Sequence, residues 1–407
     1  MSSSLASSWP YRLGRRSAAR PWRTIGAWLA AAVLVVLASS LMGGTPHDDY
    51  TIPGVDSQVA NDLLVHRFPD QSGAGARVVF HDHDGVATGR EAVERSIRRI
   101  GRLPHVVAVS DPFDPSGPSV SPDGTVAIVG VTYDLPVTDV EPDRALTGLE
   151  RAVRPAETAG MQVELGGEVP ENASPPSSGT EAIGLAVAAV VLAVAFGSLL
   201  AMGLPIVTAL VSLAIGMTGI MLLAGATLIS TITPMIAAMV GLGVGIDYAL
   251  FVLTRHRERL AAGESPVVAA ATATATAGKA VLVAGGTVVV AICGLWFVDV
   301  PLLASIGFGT AVVVAVSVAA ALTLFPALLG LAGERLAART PRWHRRRERR
   351  APLSARWADK VGRRPVRYAL LSLVALLALA TPVLSLQLGW SDAGNEPTST
   401  TQRRAYD

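Results

Sequence analysis

Long apolar runs without a charged residue recur along this chain, and they confine it to one kind of solvent. Several reach 18 residues or more, enough for a helix to cross a hydrocarbon core of about 30 Å. In that medium the backbone must satisfy its own hydrogen bonds, which leaves helices as the spanning element for runs of this length. Half of the 407 residues are apolar and the mean hydropathy is positive. The chain is expected to be an integral membrane protein. Its single cysteine, Cys293, lies in an apolar run, which excludes a disulfide framework and a cysteine-built metal site.

Seven spans are expected, at about Ile25–Met42, Ala182–Leu199, Leu204–Leu223, Thr231–Thr254, Ala280–Val298, Leu302–Leu331 and Tyr368–Leu388. Loop charge orients them. Arg12, Arg15, Arg16, Arg20 and Arg23 precede the first span, which under the positive-inside rule places the N-terminus in the cytoplasm. The cluster Arg255, His256, Arg257 and Arg259 follows the fourth span, and 13 Arg or Lys residues lie between Arg335 and Arg367. Both clusters then also fall inside, and the C-terminus falls outside. The run His344–Arg350 could contact anionic headgroups or act only as a topology determinant.

Residues 43–181 read differently. Apolar alternation predicts strands near Ala76–Phe80, His105–Ser110, Thr125–Asp134 and Met161–Leu165, and helical spacing predicts helices near Gly89–Gly101 and Glu141–Val153. The order is βαββαβ, a ferredoxin-like arrangement. His81-Asp82-His83-Asp84 follows the first strand into a Gly turn and reads as a solvated loop more readily than as a metal cluster.

Within the fourth span stands a carboxylate. Ile229–Arg255 contains Asp247 as its only acid and no base before Arg255. An acid at a helix centre costs roughly 2.5–3.5 kcal/mol on insertion scales and usually marks an ion or proton path. Desolvation disfavours its charged form and brings its titration toward physiological pH, where a proton gradient can load and unload it. Tyr248 is adjacent, but neighbours on a helix point about 100° apart, so each is expected to reach toward a different helix. Gly241, Gly243 and Gly245 lack a preceding strand and a Lys at nucleotide-loop spacing. Their expected role is close helix packing around Asp247. Lys279 is expected at the cytoplasmic boundary, after the Ala/Thr tract Ala269–Ala277 leading into the fifth span.

The chain also repeats. An offset of 344 residues places Arg20-Pro21-Trp22-Arg23 on Arg364-Pro365-Val366-Arg367, Asp48 on Asp392, Pro53 on Pro397 and Gln58 on Gln402. Transporters are often built from such repeated halves. A unit of one span, a soluble domain and five spans therefore starts again at Arg364.

The run Gly241-Leu-Gly-Val-Gly-Ile-Asp-Tyr-Ala-Leu-Phe251, with Arg255 and Arg257–Leu260 after it, resembles the fourth-span signature of the MMPL (mycobacterial membrane protein large) branch of the resistance-nodulation-division superfamily. The resemblance covers essentially the whole chain. It implies a polytopic α-helical membrane protein with an extracytoplasmic α+β ferredoxin-like porter domain and a truncated internal repeat. The implied order is a basic N-terminus (1–24), a span (25–42), the porter domain (43–181), a five-span bundle (182–332), a basic linker (333–367), a seventh span (368–388) and the start of a second porter domain (389–407).

The activity implied is export of lipids or other hydrophobic molecules across the bacterial plasma membrane, driven by the proton-motive force, with Asp247 and Tyr248 as the proton relay. The partners implied are a hydrophobic substrate, protons, the lipid bilayer and either a second transporter half or a second copy. No cofactor, metal or nucleic acid is implied, and no catalytic motif stands in a credible context. Two departures stand out: the second Asp-Tyr pair of the family is absent from this chain, and Gly197 stands where many members have Arg. A non-transporting sensor or regulatory subunit, or an inactive fragment of a split transporter, is the alternative.

Overall fold

The computed structural model describes residues 8–68, 73–115, 119–173, 179–336, 353–386 and 392–407. Two units divide the chain: residues 1–337 with 396–407 form one, and residues 338–395 the other. The run His344–Arg350 lies outside the described residues.

Three helices open the first unit, α1 (Trp9–Ala19), α2 (Pro21–Met42) and α3 (Asp56–Arg67). Proline stands in the first turn of both α1 and α2, where its missing N–H costs nothing and its fixed φ favours the helix. Helix α1 packs on the bundle through one face. Its Gly14, Ser17 and Ala18 are buried, while Arg12, Arg15 and Arg16 face outward.

A sheet domain follows: β1 (Gly75–His81), α4 (Arg90–Ile100), β2 (Val106–Val109), β3 (Val126–Tyr133), α5 (Pro142–Thr158), β4 (Gln162–Gly166) and a short α6 (Glu168–Ala173). The strands lie in the order β2-β3-β1-β4, with every neighbouring pair antiparallel. Alternation sets which face is dry. Ala76, Val78 and Phe80 of β1 and Ala127, Val129, Val131 and Tyr133 of β3 point into one core. Helices α4 and α5 close it with Val93, Ile100, Leu149 and Val153. Full burial of such Val, Ile, Leu and Phe side chains is worth about 1.5–3 kcal/mol each. On the outer face of α4, Arg90–Glu94 and Glu91–Arg95 pair one turn apart. Asp82 accepts the Asp84 amide in the turn after β1, and the rings of His81 and His83 meet edge-on.

The remaining helices are α7 (Gly179–Phe196), α8 (Leu199–Ala224), α9 (Ile232–Ala261), α10 (Pro266–Cys293), α11 (Pro301–Leu322) and α12 (Leu324–Ala332). Gly197, at φ +61°, ends α7, and the Ser198 hydroxyl caps α8 by accepting from the Ala201 amide. Helices α8 to α11 pack on one another through small residues and interhelical hydroxyls. Ser212 meets Ser317 at 3.3 Å and Thr233 meets Ser305 at 3.0 Å, all buried.

The second unit holds α13 (Leu353–Arg363) and α14 (Pro365–Ala380). The last helix, α15 (Thr401–Tyr406), belongs to the first unit and sits on β4.

Among the described residues, six helical segments are long and apolar enough to cross a membrane: Pro21–Met42, Leu199–Ala224, Ile232–Ala261, Pro266–Val298, Pro301–Leu336 and Pro365–Ser385. The expected second span corresponds to α7, whose apolar part Ile183–Phe196 is shorter. Alanine and threonine of the 269–277 tract continue α10 without a break and are largely buried, and Lys279 lies midway along that helix.

Candidate functional site

Helix α9 places the candidate residues on two faces. Ala237, Gly241, Gly245, Tyr248 and Val252 recur at three- and four-residue spacing and are buried. Gly243, Asp247, Phe251 and Thr254 recur at the same spacing on a face that no described residue covers. The sequence neighbours Asp247 and Tyr248 therefore point to different surroundings.

Tyr248 faces the bundle. It packs with Val281 of α10 and Val314 and Val318 of α11. Gly285 admits it: a Cβ there would stand 3.3 Å from Tyr248 Cε2 and 3.4 Å from its hydroxyl, and would overlap Val318. Two of the three glycines lie in close helix contacts, on the face of Tyr248. A side chain at Gly241 would overlap Val313, and a Cβ at Gly245 would lie 3.1 Å from Ala209 Cβ. Gly243 lies on the face of Asp247, and among the described residues nothing stands within 4 Å of where a Cβ would be.

Asp247 opens into a groove of about 670 Å³ between α9 and α10, lined also by Phe251, Arg255, Glu258, Thr276 and Ala280. Arg255 and Glu258 pair with each other at 2.8 Å. Among the described residues none donates a hydrogen bond to the Asp247 carboxylate. Lys279, beside Ala280 on α10, is exposed as well. The basic cluster after the fourth span is not uniform: Arg255 is exposed, Arg257 donates to the Phe196 carbonyl at 3.2 Å, and His256 is fully buried.

A second concavity lies in the sheet domain. It holds about 420 Å³ and is lined by Leu103, Tyr133, Leu135, Arg144, Gly148 and Arg151. Gly148 forms part of its floor, with Leu103 Cδ2 3.3 Å from where a Cβ would stand. The Tyr133 hydroxyl is buried without a hydrogen-bond partner among the described residues. Burial pushes its pKa up to about 12.

Sequence reasoning assigned Asp48 only to the repeat. In the structure it is 5% exposed, and its carboxylate accepts from both the amide and the hydroxyl of Thr231, at the start of α9. The signal was present, since the 344-residue offset had singled out this acid, but its partner lies 183 positions away.

Residues 49–368 match the model of the MMPL family. The chain is 33% identical to the membrane protein YdfJ of Bacillus subtilis over 98% of its own length and 55% of that protein. It is 28% identical to the mycolic acid-containing lipids exporter MmpL11 of Mycolicibacterium smegmatis, over 90% of this chain and 40% of the relative. A crystal structure of SecDF is similar at 17% identity and a TM-score of 0.39, over 84% of this chain and 39% of SecDF. The chain thus spans about half the length of the curated relatives it matches.

Proposed function

The chain belongs to the MMPL family, a multi-pass protein of a bacterial membrane, and from that premise we propose that it forms the N-terminal half of a transporter that exports lipids or other hydrophobic molecules at the expense of the proton-motive force. Asp247 takes up and releases the proton, and Tyr248 extends its hydrogen-bonding path into the bundle. Gly241 and Gly245 let neighbouring helices approach. One observation carries the reading: an acid midway along a helix apolar enough to span a membrane opens into a groove that no described donor closes. An intramembrane acid left to lipid would be costly; one facing water or a second protein surface usually marks an ion or proton path.

The βαββαβ order and the β2-β3-β1-β4 strand order support reading residues 43–181 as a ferredoxin-like porter domain outside the cytoplasmic membrane. They are joined in that by the arginines on α1, which favour a cytoplasmic N-terminus. Counting α7 as a span gives seven, with the C-terminus outside. The cavity floored by Gly148 is the place in the porter domain to receive the apolar part of a substrate. The name of the M. smegmatis relative, a lipid exporter, supports the substrate class.

The test is Asp247→Asn in proteoliposomes carrying an imposed pH gradient, with a fluorescent phospholipid as substrate. Removing an interaction on which the driving step depends is expected to lower gradient-driven transport at least tenfold, with membrane insertion and thermal unfolding unchanged. Tyr248→Phe is expected to give a smaller loss. Transport that survives Asp247→Asn removes the proton role.

A further inference from the structure

The N-cap residue of helix α9, Thr231, makes no side-chain capping bond, and the first amides of the helix find their acceptors on Ser230: its hydroxyl accepts from Ile232 N–H at 3.2 Å and its carbonyl from Thr233 N–H at 3.1 Å. Asp48, on the segment that leaves α2, fixes the two residues at which the helix starts. One carboxylate oxygen accepts from the Ser230 hydroxyl at 2.5 Å and from the Thr231 amide at 2.8 Å; the other accepts from the Thr231 hydroxyl at 2.5 Å. The residue before it binds the same stretch through its backbone, His47 N–H donating to the Ile229 carbonyl at 2.7 Å. The knot extends to α11, because the Ser230 amide donates to the Ser305 hydroxyl at 3.2 Å and Ser305 also meets Thr233.

The side chain of His47 points the other way. Its Nε2 lies 3.3 Å from Asp139, in the loop that leads from β3 into α5 of the sheet domain. Two consecutive residues thus touch two different parts of the protein: His47 stands beside Asp139 of the sheet domain, and Asp48 is bonded to the start of the helix that carries Asp247. From Ile232 to Asp247 that helix is unbroken, a rod of roughly 22 Å at 1.5 Å per residue. Along the way Gly241 and Gly245 stand close against Val313 and Ala209, Thr233 is bonded to Ser305, and Val240 and Val244 pack with Val281 and Val314. The carboxylate of Asp48 is held in its charged form: burial alone would raise its pKa, but the hydrogen bonds from Ser230, Thr231 and Tyr50 outweigh that and lower it. It is a fixed post at one end of a rod whose middle bears the titrating acid.

We propose that Asp48 is a coupling residue, joining the N-terminus of α9 to the porter domain so that a displacement of α9 on protonation of Asp247 is delivered to that domain through the His47–Asp48 pair. The inference rests on the reading of Asp247 as the proton carrier. It assigns Asp48 a positioning role, with no contact to proton or substrate.

The experiment uses the full chain in nanodiscs, with Cys293→Ala as background and an environment-sensitive fluorophore on Glu150→Cys, an exposed site on α5. The pH is lowered from about 7.5 to about 5.5, a range in which Asp48 stays charged. The expected result is a fluorescence change in the background protein that Asp247→Asn abolishes, that Asp48→Ala reduces at least fivefold, and that Asp48→Asn preserves within twofold, since Asn keeps an acceptor for the Thr231 amide. Thr231→Val, which spares that amide bond and should fold normally, is expected to give an intermediate loss. A signal that persists undiminished in Asp48→Ala or in Thr231→Val overturns the coupling role while leaving the proton reading intact. A signal that is absent from the background protein, or unaffected by Asp247→Asn, overturns the proton reading and the coupling role with it.

Discussion

Three glycines two residues apart carry two different burdens. Gly241 and Gly245 each occupy a contact in which a side chain would collide with Val313 or stand 3.1 Å from Ala209, whereas Gly243 faces open space. Substituting Leu at Gly245 is therefore expected to destabilise the bundle by about 1–3 kcal/mol through overpacking. Ala at Gly243 removes backbone freedom from a helix interior and is expected to stabilise by up to about 1 kcal/mol. Thermal unfolding of the two variants in detergent should move the midpoint in opposite directions. Helical spacing sets 241 and 245 on one face with 248. It could not tell which face is packed, because in an apolar span both faces look alike in hydropathy and the usual contrast between dry and wet sides is missing. The same limit hid the burial of His256, which sits among arginines in sequence and inside the bundle in space. Asp247 itself was legible from charge alone, since one acid in a long apolar run needs no periodicity to be noticed.

At the scale of elements, the short helix α15 shows how a few polar contacts seat a helix on a strand. Thr401 accepts from the Leu165 amide at 2.8 Å, Gln402 donates to the Pro170 carbonyl at 3.0 Å, and Arg404 donates to Glu164 at 2.7 Å. Glu164 is buried. Burial alone would raise its pKa, but hydrogen bonds from Gln162, Arg404 and Thr401 and the Arg404 charge outweigh it and hold the value below the ordinary 4.5. A carboxyl with a depressed folded-state pKa contributes stability that is complete above its unfolded value and drains away as pH falls toward the folded one. Docking of α15 is thus expected to be independent of pH above about 4.5 and to weaken below it. Hydrogen exchange at the Leu165 amide, followed from pH 7 to pH 3, checks this, and Arg404→Ala is expected to weaken the seat by about 1–3 kcal/mol at neutral pH by leaving a buried carboxylate short of a partner. None of these contacts was visible in sequence, because each joins residues more than 230 positions apart. The strands beneath them were visible, since inward and outward residues of β1 and β3 alternate strictly. The small side chains of the Ala/Thr tract let α1 pack against α10, with Gly14 fitted against Thr274.

Across the whole molecule, the repeat leaves a geometric trace. Helices α1 and α13 run over positions 9–19 and 353–363, the same positions after the 344-residue shift. The residue between each of them and the following apolar helix is an arginine, with φ, ψ of −132°, 62° at Arg20 and −142°, 57° at Arg364. Proline follows each, which disfavours the α region at that arginine and forces the bend. Replacing Pro21 or Pro365 by Ala is expected to let the two helices at that joint fuse into one longer helix, detectable as a longer spacing between spin labels at their far ends. A further consequence belongs to the sheet. Its order β2-β3-β1-β4 leaves two outer strands, and α15 lies against β4 with its bond to the Leu165 amide. Bare outer strands are templates for pairing between molecules, so a chain shortened to residue 395 should self-associate through β4 and elute as a broad series of oligomers. The last dozen residues, read as an opening, serve here as a guard.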